Sequence, residues 1–241
     1  MKGVGIFYTK LLIMAIIKTD EEIKKLKAAA KLGEDCFSYI CTVIKAGMTE
    51  KEISKIIYEF FMKNGADKLS FDSIVGSGVN SAQIHSTPTD RKIQENDIIL
   101  FDIGCVLDGY CSDMSRTVFI GKPTHKQIEI YNLVYETYLN AINNIKVGMP
   151  AKVADNLGRQ FILDKGYDYA HALGHGVGTE VHENPLLSPK REEILDKNMT
   201  FSIEPGIYIE NEFGVRVEDV GVLTNDGLEM FSIKSKEIII L

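Results

Sequence analysis

Ile98–Ile120 reads IILFDIGCVLDGYCSDMSRTVFI, and two aspartates in it, Asp102 and Asp113, decide how the rest of the chain is read. The runs on either side of Leu107-Asp108-Gly109 are rich in Val, Ile, Phe and Tyr. Such residues suit a half-buried pleated surface, so the stretch predicts two strands joined by a turn. An aspartate inside each strand does not suit that surface. A carboxylate taken out of water needs a hydrogen-bond partner, a countercharge or a metal ion. Arg116 is the one cation nearby. Two readings follow: a divalent ion between the carboxylates, or one aspartate capping the turn while the other pairs with Arg116.

Upstream, Thr19–Glu22 and Thr49–Glu52 have the form of capping boxes, with a hydroxyl for free amides and a glutamate three residues on. The first opens a helix with Leu26, Ala30, Gly33, Phe37, Ile40 and Ile44 on one face. The second opens a helix with Ile53, Ile56, Ile57, Phe60 and Phe61 inward, ending at Asn64-Gly65. Downstream the pattern recurs. Thr124–Gln127 starts a helix with Ile128, Tyr131, Tyr135, Tyr138, Ile142 and Ile145 on one face; Pro150 starts another with Val153, Leu157 and Phe161.

The halves superpose in sequence. Ile44-Lys45-Ala46-Gly47-Met48 matches Ile145-Lys146-Val147-Gly148-Met149 at a shift of 101, and Gly65 falls on Gly166 at the same shift. Phe101-Asp102-Ile103-Gly104 faces Ile203-Glu204-Pro205-Gly206 at a shift of 102, and Ser112-Asp113 meets Val217-Glu218 after a small insertion. The period is too long for a solenoid. It implies a duplicated helix-helix-strand unit folded about a pseudo-twofold axis. Such an axis brings Asp102, Asp113, Glu204 and Glu218 together. Four negative charges in a low-dielectric site are untenable alone, and two divalent ions would neutralise them.

Three of the five histidines lie in one run, His171-Ala172-Leu173-Gly174-His175-Gly176 and then His182. Glycines around His175 permit close backbone approach. A histidine in a strand is often a hydrogen-bonded core residue, but with four acidic residues converging His175 becomes the fifth candidate ligand. His85 and His182 stand in loop-like contexts. They are either plain surface histidines or rim groups that donate to a substrate carbonyl or oxyanion. His125 opens a helix and reads as exposed. Arg216, two residues before Glu218, shares its strand face. It either balances a carboxylate's charge or orients a bound substrate. One histidine and four carboxylates form an oxygen-rich set suited to Mn, Fe(II) or Co(II) rather than to a cysteine-rich structural zinc site, with catalytic zinc left open.

The remaining bounds are broad. The chain has 241 residues, 45% hydrophobic and 25% charged, with net charge −7. No basic stripe supports nucleic-acid binding. Four cysteines without a CxxC pair point to a reducing, cytoplasmic setting. Residues 3–17 are apolar but broken by Lys10 and too short for a membrane span of about 20 residues. Residues 1–18 read as an N-terminal extension or a misassigned start, with Met14 an alternative beginning, and residues 19–241 as a single domain.

These residues together resemble the pita-bread metallopeptidases, namely methionine aminopeptidase, aminopeptidase P and Xaa-Pro dipeptidase (prolidase). The resemblance runs from Thr19 to Leu241 and rests on IHSTPTDRKIQENDIILFDIG, DGYCSDMSRTVFIG, HALGHGVGTEVHENPLLSP and GVRVEDVGVLT. It implies an α+β fold of two helix-helix-strand halves around a mainly antiparallel curved sheet. It also implies metal ligands at Asp102, Asp113, His175, Glu204 and Glu218, with substrate-side histidines at His85 and His182. His171 and Arg216 are similar to the Xaa-Pro branch, whose members normally carry a separate N-terminal domain, so this chain is expected to correspond to the catalytic domain alone. The activity implied is hydrolysis of the N-terminal bond of Xaa-Pro peptides by a hydroxide between two divalent ions, with Glu204 as proton shuttle. A free peptide N-terminus is the implied partner; a homodimer follows by analogy. Methionine aminopeptidase, a non-catalytic binding module of the same fold and creatinase-like metal-independent hydrolysis are the alternatives.

Overall fold

The computed structural model describes residues 17–232 and 237–241. Most of the stretch read as an N-terminal extension, residues 1–16, therefore lies outside the described residues. The first half runs α1 (Asp20–Val43), α2 (Glu50–Lys63), β1 (Lys68–Leu69), β2 (Ile74–Ser77), a 3-10 turn at Gly78–Ala82, β3 (Ile98–Ile103), β4 (Cys105–Leu107), β5 (Tyr110–Cys111) and β6 (Met114–Phe119). The second runs α3 (His125–Asn144), α4 (Ala151–Leu163), β7 (Gly174–Gly176), β8 (Glu183–Leu187), β9 (Thr200–Ile203), β10 (Gly206–Ile209), β11 (Phe213–Arg216), β12 (Asp219–Thr224) and β13 (Gly227–Met230), and β14 (Ile239–Ile240) follows.

Among the described residues, three of the four α-helices open on a full capping box, at Thr19, Thr49 and Thr124. Each satisfies amides that the first turn leaves without partners, worth about 1 kcal/mol per cap. The fourth begins after Pro150, which has no side chain to cap with.

The strands form one principal sheet per half, ordered β14-β6-β3-β2 and β13-β12-β9-β7-β8, with β1-β4-β5 and β10-β11 as smaller sheets. Among the described residues every strand pairing is antiparallel except β14 on β6. The seam between the halves runs along β6 and β11. Thr117 Oγ1 donates to Arg216 O while Arg216 N donates back to Thr117 Oγ1, and Glu218 N donates to Ser115 O.

The duplication read from the sequence extends to the hydrogen bonds. Gly47 N donates to Ile93 O and Gly148 N to Leu195 O; Ile93 N donates to Met48 O and Leu195 N to Met149 O. Apolar cores lie between helices and sheet on each side, one around Ile57, Phe61 and Phe101 and another around Tyr131, Tyr138 and Phe201. Each fully buried large side chain is worth about 1.5–3 kcal/mol.

Three local readings change. The Ile98–Ile120 stretch is two broken strands: β3 stops before Gly104, where a Cβ would stand 2.2 Å from Ser112 O, and Asp113 lies in the gap between β5 and β6. The turn residues Asp108 and Gly109 both have positive φ, the backbone that closes a tight hairpin. The buried face of α3 is Gln127, Ile130, Tyr131, Leu133, Val134, Thr137, Tyr138 and Ala141, so Ile128, Tyr135 and Ile142 flank it rather than lead it. In α4, Val153 is exposed while Ala154, Asp155, Gly158 and Ile162 are buried. Small side chains let α4 approach its neighbours closely, and a reading that follows large apolar residues misses such a face.

Candidate metal centre

All nine residues singled out in the sequence line one cavity of about 440 Å³: Asp102, Asp113, His175, Glu204, Glu218, His85, His171, His182 and Arg216. Each half contributes from equivalent strands. Asp102 stands on β3 and Asp113 just before β6; Glu204 follows β9 and Glu218 precedes β12. His175 is the middle residue of β7, whose neighbour Gly174 has no room for a side chain, since a Cβ there would lie 1.8 Å from Ser202 O.

Asp113, His175 and Glu218 offer ligand atoms that all lie within 4.8 Å of one another. His175 Nε2 is 3.6 Å from Asp113 Oδ2 and 3.2 Å from Glu204 Oε1. Its Nδ1 lies 3.2 Å from Gly176 O. A proton on Nδ1 serves that carbonyl and leaves the Nε2 lone pair facing the carboxylates, the tautomer a metal ligand needs. Asp102 stands outside the tight trio. Arg216 Nη2 donates to its Oδ2 at 2.6 Å, while its buried Oδ1 has no hydrogen-bond partner.

Electrostatics make the cluster costly as bare carboxylates. Burial, then the charges of Glu218, Asp102 and Glu204, push Asp113 well above the usual carboxylate range. Burial, then Glu204 and Asp102, do the same to Glu218. Burial also raises Glu204, against the pull of His171 and Arg216. Divalent cations among these groups would repay the desolvation and engage the orphaned Asp102 oxygen, so the donor set fits such ions.

Arg216 is buried and occupies every arm: Nε donates to Ser115 Oγ at 2.7 Å, Nη1 to Tyr208 OH at 2.7 Å and Ile84 O at 3.2 Å, and Nη2 to Asp102. Ser115 Oγ in turn donates to Glu218 Oε2 at 2.6 Å. Thus Arg216 reaches Glu218 through a hydroxyl and pairs directly with Asp102. Arg116, the alternative partner for an aspartate of the opening stretch, pairs instead with Asp219 at 2.7 Å, and Tyr138 OH donates to the same carboxylate. His171 Nε2 sits 3.0 Å from Tyr208 OH and Nδ1 is 3.9 Å from Glu204 Oε2. His85 and His182 are exposed on the cavity rim, the His182 ring 4.3 Å from that of His175. His125 is exposed, as read.

Three polar residues escaped the sequence reading. Tyr208 joins Arg216 to His171, Ser115 joins Arg216 to Glu218, and Ser202 accepts from His175 N and donates to Glu204 Oε1. Ser115 and Ser202 each stand two positions from a candidate ligand. Strand alternation puts both on the ligand's face, so a signal was present.

Residues 24–225 match the profile of metallopeptidase family M24. The chain belongs to that family. As an M24 peptidase domain it has the pita-bread α+β fold. An uncharacterised peptidase, YqhT, of Bacillus subtilis is 43% identical over 231 residues, 95% of this chain and 65% of that protein. A Xaa-Pro dipeptidase of Lactobacillus delbrueckii is 42% identical over 229 residues, 94% of this chain and 62% of that protein. The crystal structure of an X-Pro aminopeptidase from Thermotoga maritima superposes with TM-score 0.94 at 37% identity, covering 97% of this chain and 67% of that one. The chain thus spans less than two thirds of the length of the two curated relatives. M24 enzymes are metallopeptidases, and divalent metal and peptide belong to the family's chemistry. Among the described residues no helix is long and apolar enough to cross a membrane.

Proposed function

We propose that this M24 domain hydrolyses the N-terminal bond of Xaa-Pro peptides, as a dipeptidase or aminopeptidase P. The observation that carries the reading is the convergence of Asp113, His175 and Glu218, with Glu204 and a half-orphaned Asp102, beside the Arg216–Tyr208–His171 cluster in one cavity. The Xaa-Pro dipeptidase and X-Pro aminopeptidase among the similar proteins support the same substrate class.

Asp102, Asp113, His175, Glu204 and Glu218 would hold two divalent ions, Mn, Co or Fe, with zinc open. Such ions acidify water and polarise a carbonyl. The chain's own groups do the rest. Glu204 takes a proton from the attacking water and returns it to the leaving proline nitrogen; its Oε2, on the His171 side, is the oxygen that Ser202 leaves free. Partial burial of its ring against the cavity wall, then the neighbouring His175, keep His182 below the ordinary imidazole range, so it is neutral at pH 7 and donates an N–H to the developing oxyanion alongside His85. Phe71, Ile84 and Pro88 give the cavity an apolar wall against which a pyrrolidine ring packs. The four cysteines, with no CxxC pair among them, suit a cytoplasmic enzyme, and the homodimer rests on analogy with relatives.

The test is a parallel assay of Ala-Pro and Met-Ala peptides with the Mn-loaded protein. Preferential cleavage of the proline peptide, abolished by chelator and restored by Mn or Co, is expected. Faster cleavage of Met-Ala would shift the reading to methionine aminopeptidase. Absence of both cleavage and metal uptake would leave a binding module.

A further inference from the structure

Glu50 is the first residue of α2 and is fully buried, with no part in the carboxylate cluster. Its carboxylate accepts from five donor groups: Ser77 N and Oγ at 2.7 Å each, Asn80 Nδ2 at 3.0 Å, Thr89 N at 2.9 Å and Thr89 Oγ1 at 2.7 Å. Ser77 and Thr89 are the two ends of a loop whose middle, Ile84 to Pro88, lines the catalytic cavity and carries His85. We propose that Glu50 is a positioning residue: it clamps both ends of the 77–89 loop to α2 and so sets where His85 stands over the site. The proposal deepens the peptidase reading and rests on it for the role of His85.

The duplicated fold supplies an internal control. Position 50 corresponds to Ala151, and the backbone seam there is the same: Ala151 N donates to Glu193 O and Lys152 N to Arg191 O, as Glu50 N donates to Arg91 O and Lys51 N to Thr89 O. The seam therefore closes without a carboxylate. The matching segment 178–191 carries His182 without such a carboxylate, so the clamp is particular to the His85 loop. Its negative charge is tolerated because it sits at a helix N-terminus and because Arg91 donates to the same Ser77 hydroxyl at 2.6 Å. Burial alone would raise the Glu50 carboxyl, yet the hydrogen bonds from Ser77 and Thr89 outweigh it and hold it below the ordinary range. It stays ionised at neutral pH, when a carboxylate accepts most strongly.

His85 itself is exposed, so the backbone that carries it decides its place. The loop touches the second half at two further points, Gly214 N to Ser81 Oγ and Arg216 Nη1 to Ile84 O. Releasing the Glu50 clamp leaves these contacts and the ligand residues intact. The outcome is a shifted histidine rather than a lost site.

The experiment compares Glu50→Ala, Glu50→Gln and the loop-side Thr89→Val in the Mn-loaded protein by hydrogen exchange and Ala-Pro kinetics. In Glu50→Ala, amides of 77–89 are expected to exchange about tenfold faster, with the matching segment 178–191 of the other half unchanged. The same variant loses about 10- to 100-fold in kcat/KM at unaltered Mn stoichiometry. Glu50→Gln and Thr89→Val lose less. In a His85→Ala background, removing Glu50 costs less than about twofold more. Unchanged exchange in the loop, or an undiminished Glu50 effect without His85, overturns the proposal. If the wild-type protein leaves Ala-Pro intact, the peptidase reading falls, while the exchange comparison still decides whether Glu50 holds the loop.

Discussion

The two oxygens of Asp102 have different fates: one accepts from Arg216 at 2.6 Å and the other is buried without a partner. That asymmetry suits the role proposed for Asp102, in which a cation fixes one oxygen and the other would face a divalent ion. Ser115 performs the same anchoring for Glu218, relaying the Arg216 guanidinium through one hydroxyl. Removing such an orienting group typically weakens metal affinity 10- to 100-fold. Ser115→Ala is therefore expected to lower Mn affinity by about that factor in calorimetric titration, with the fold kept. Affinity equal to wild type would show that Glu218 needs no such support. Tyr208→Phe removes the hydroxyl shared by Arg216 and His171. A fall of about tenfold in kcat/KM on Ala-Pro, with metal content unchanged, is the expected result.

At the level of elements, β7 places His175 by pressing its backbone against β9 and β8 at once. Gly174 faces Ser202 O, where a Cβ would stand at 1.8 Å, a distance no rotamer change relieves. Gly174→Ala must push β7 away from β9, and overpacking of this kind costs about 3 kcal/mol or more. The variant is expected to melt well below wild type and to bind Mn poorly, because the strand that moves is the one carrying His175. Wild-type thermal stability would mean that the strands yield more readily than close packing allows. The helices matter differently: capping boxes start three of those described, Pro150 starts the fourth, and α2 and α4 stop just before Gly65 and Gly166.

For the whole molecule, the duplication concentrates charge on one axis, and the pH dependence of stability should report it. Asp113, Glu204 and Glu218 bind protons more tightly folded than unfolded when no cation is present, chiefly because they are buried. Their contribution is full below the unfolded values of 3.8 for Asp113 and 4.5 for the glutamates, and is lost as pH rises through the higher folded values. Chelated protein is therefore expected to lose thermal stability over the range that begins at the unfolded glutamate value of 4.5 and runs upward through the raised folded values, and saturating Mn to remove most of that loss. Melting temperatures measured across that range with and without chelator check it. A flat curve for chelated protein would contradict the crowding.

The halves, their helix boundaries and the acidic residues they share were legible in the chain, because capping, turn chemistry and strand alternation act over a few residues and a duplication repeats them in register. The convergence of Asp102, Asp113, Glu204 and Glu218 followed from that repeat. Large-residue periodicity misjudged the buried faces of α3 and α4, since packing against a neighbour, not side-chain size, selects the inward face. Tertiary structure alone decided which carboxylate takes Arg216, that Tyr208 links it to His171, and that Glu50 reaches the His85 loop. Those contacts join residues far apart in the chain, and only the closed fold sets the distances on which hydrogen bonds depend.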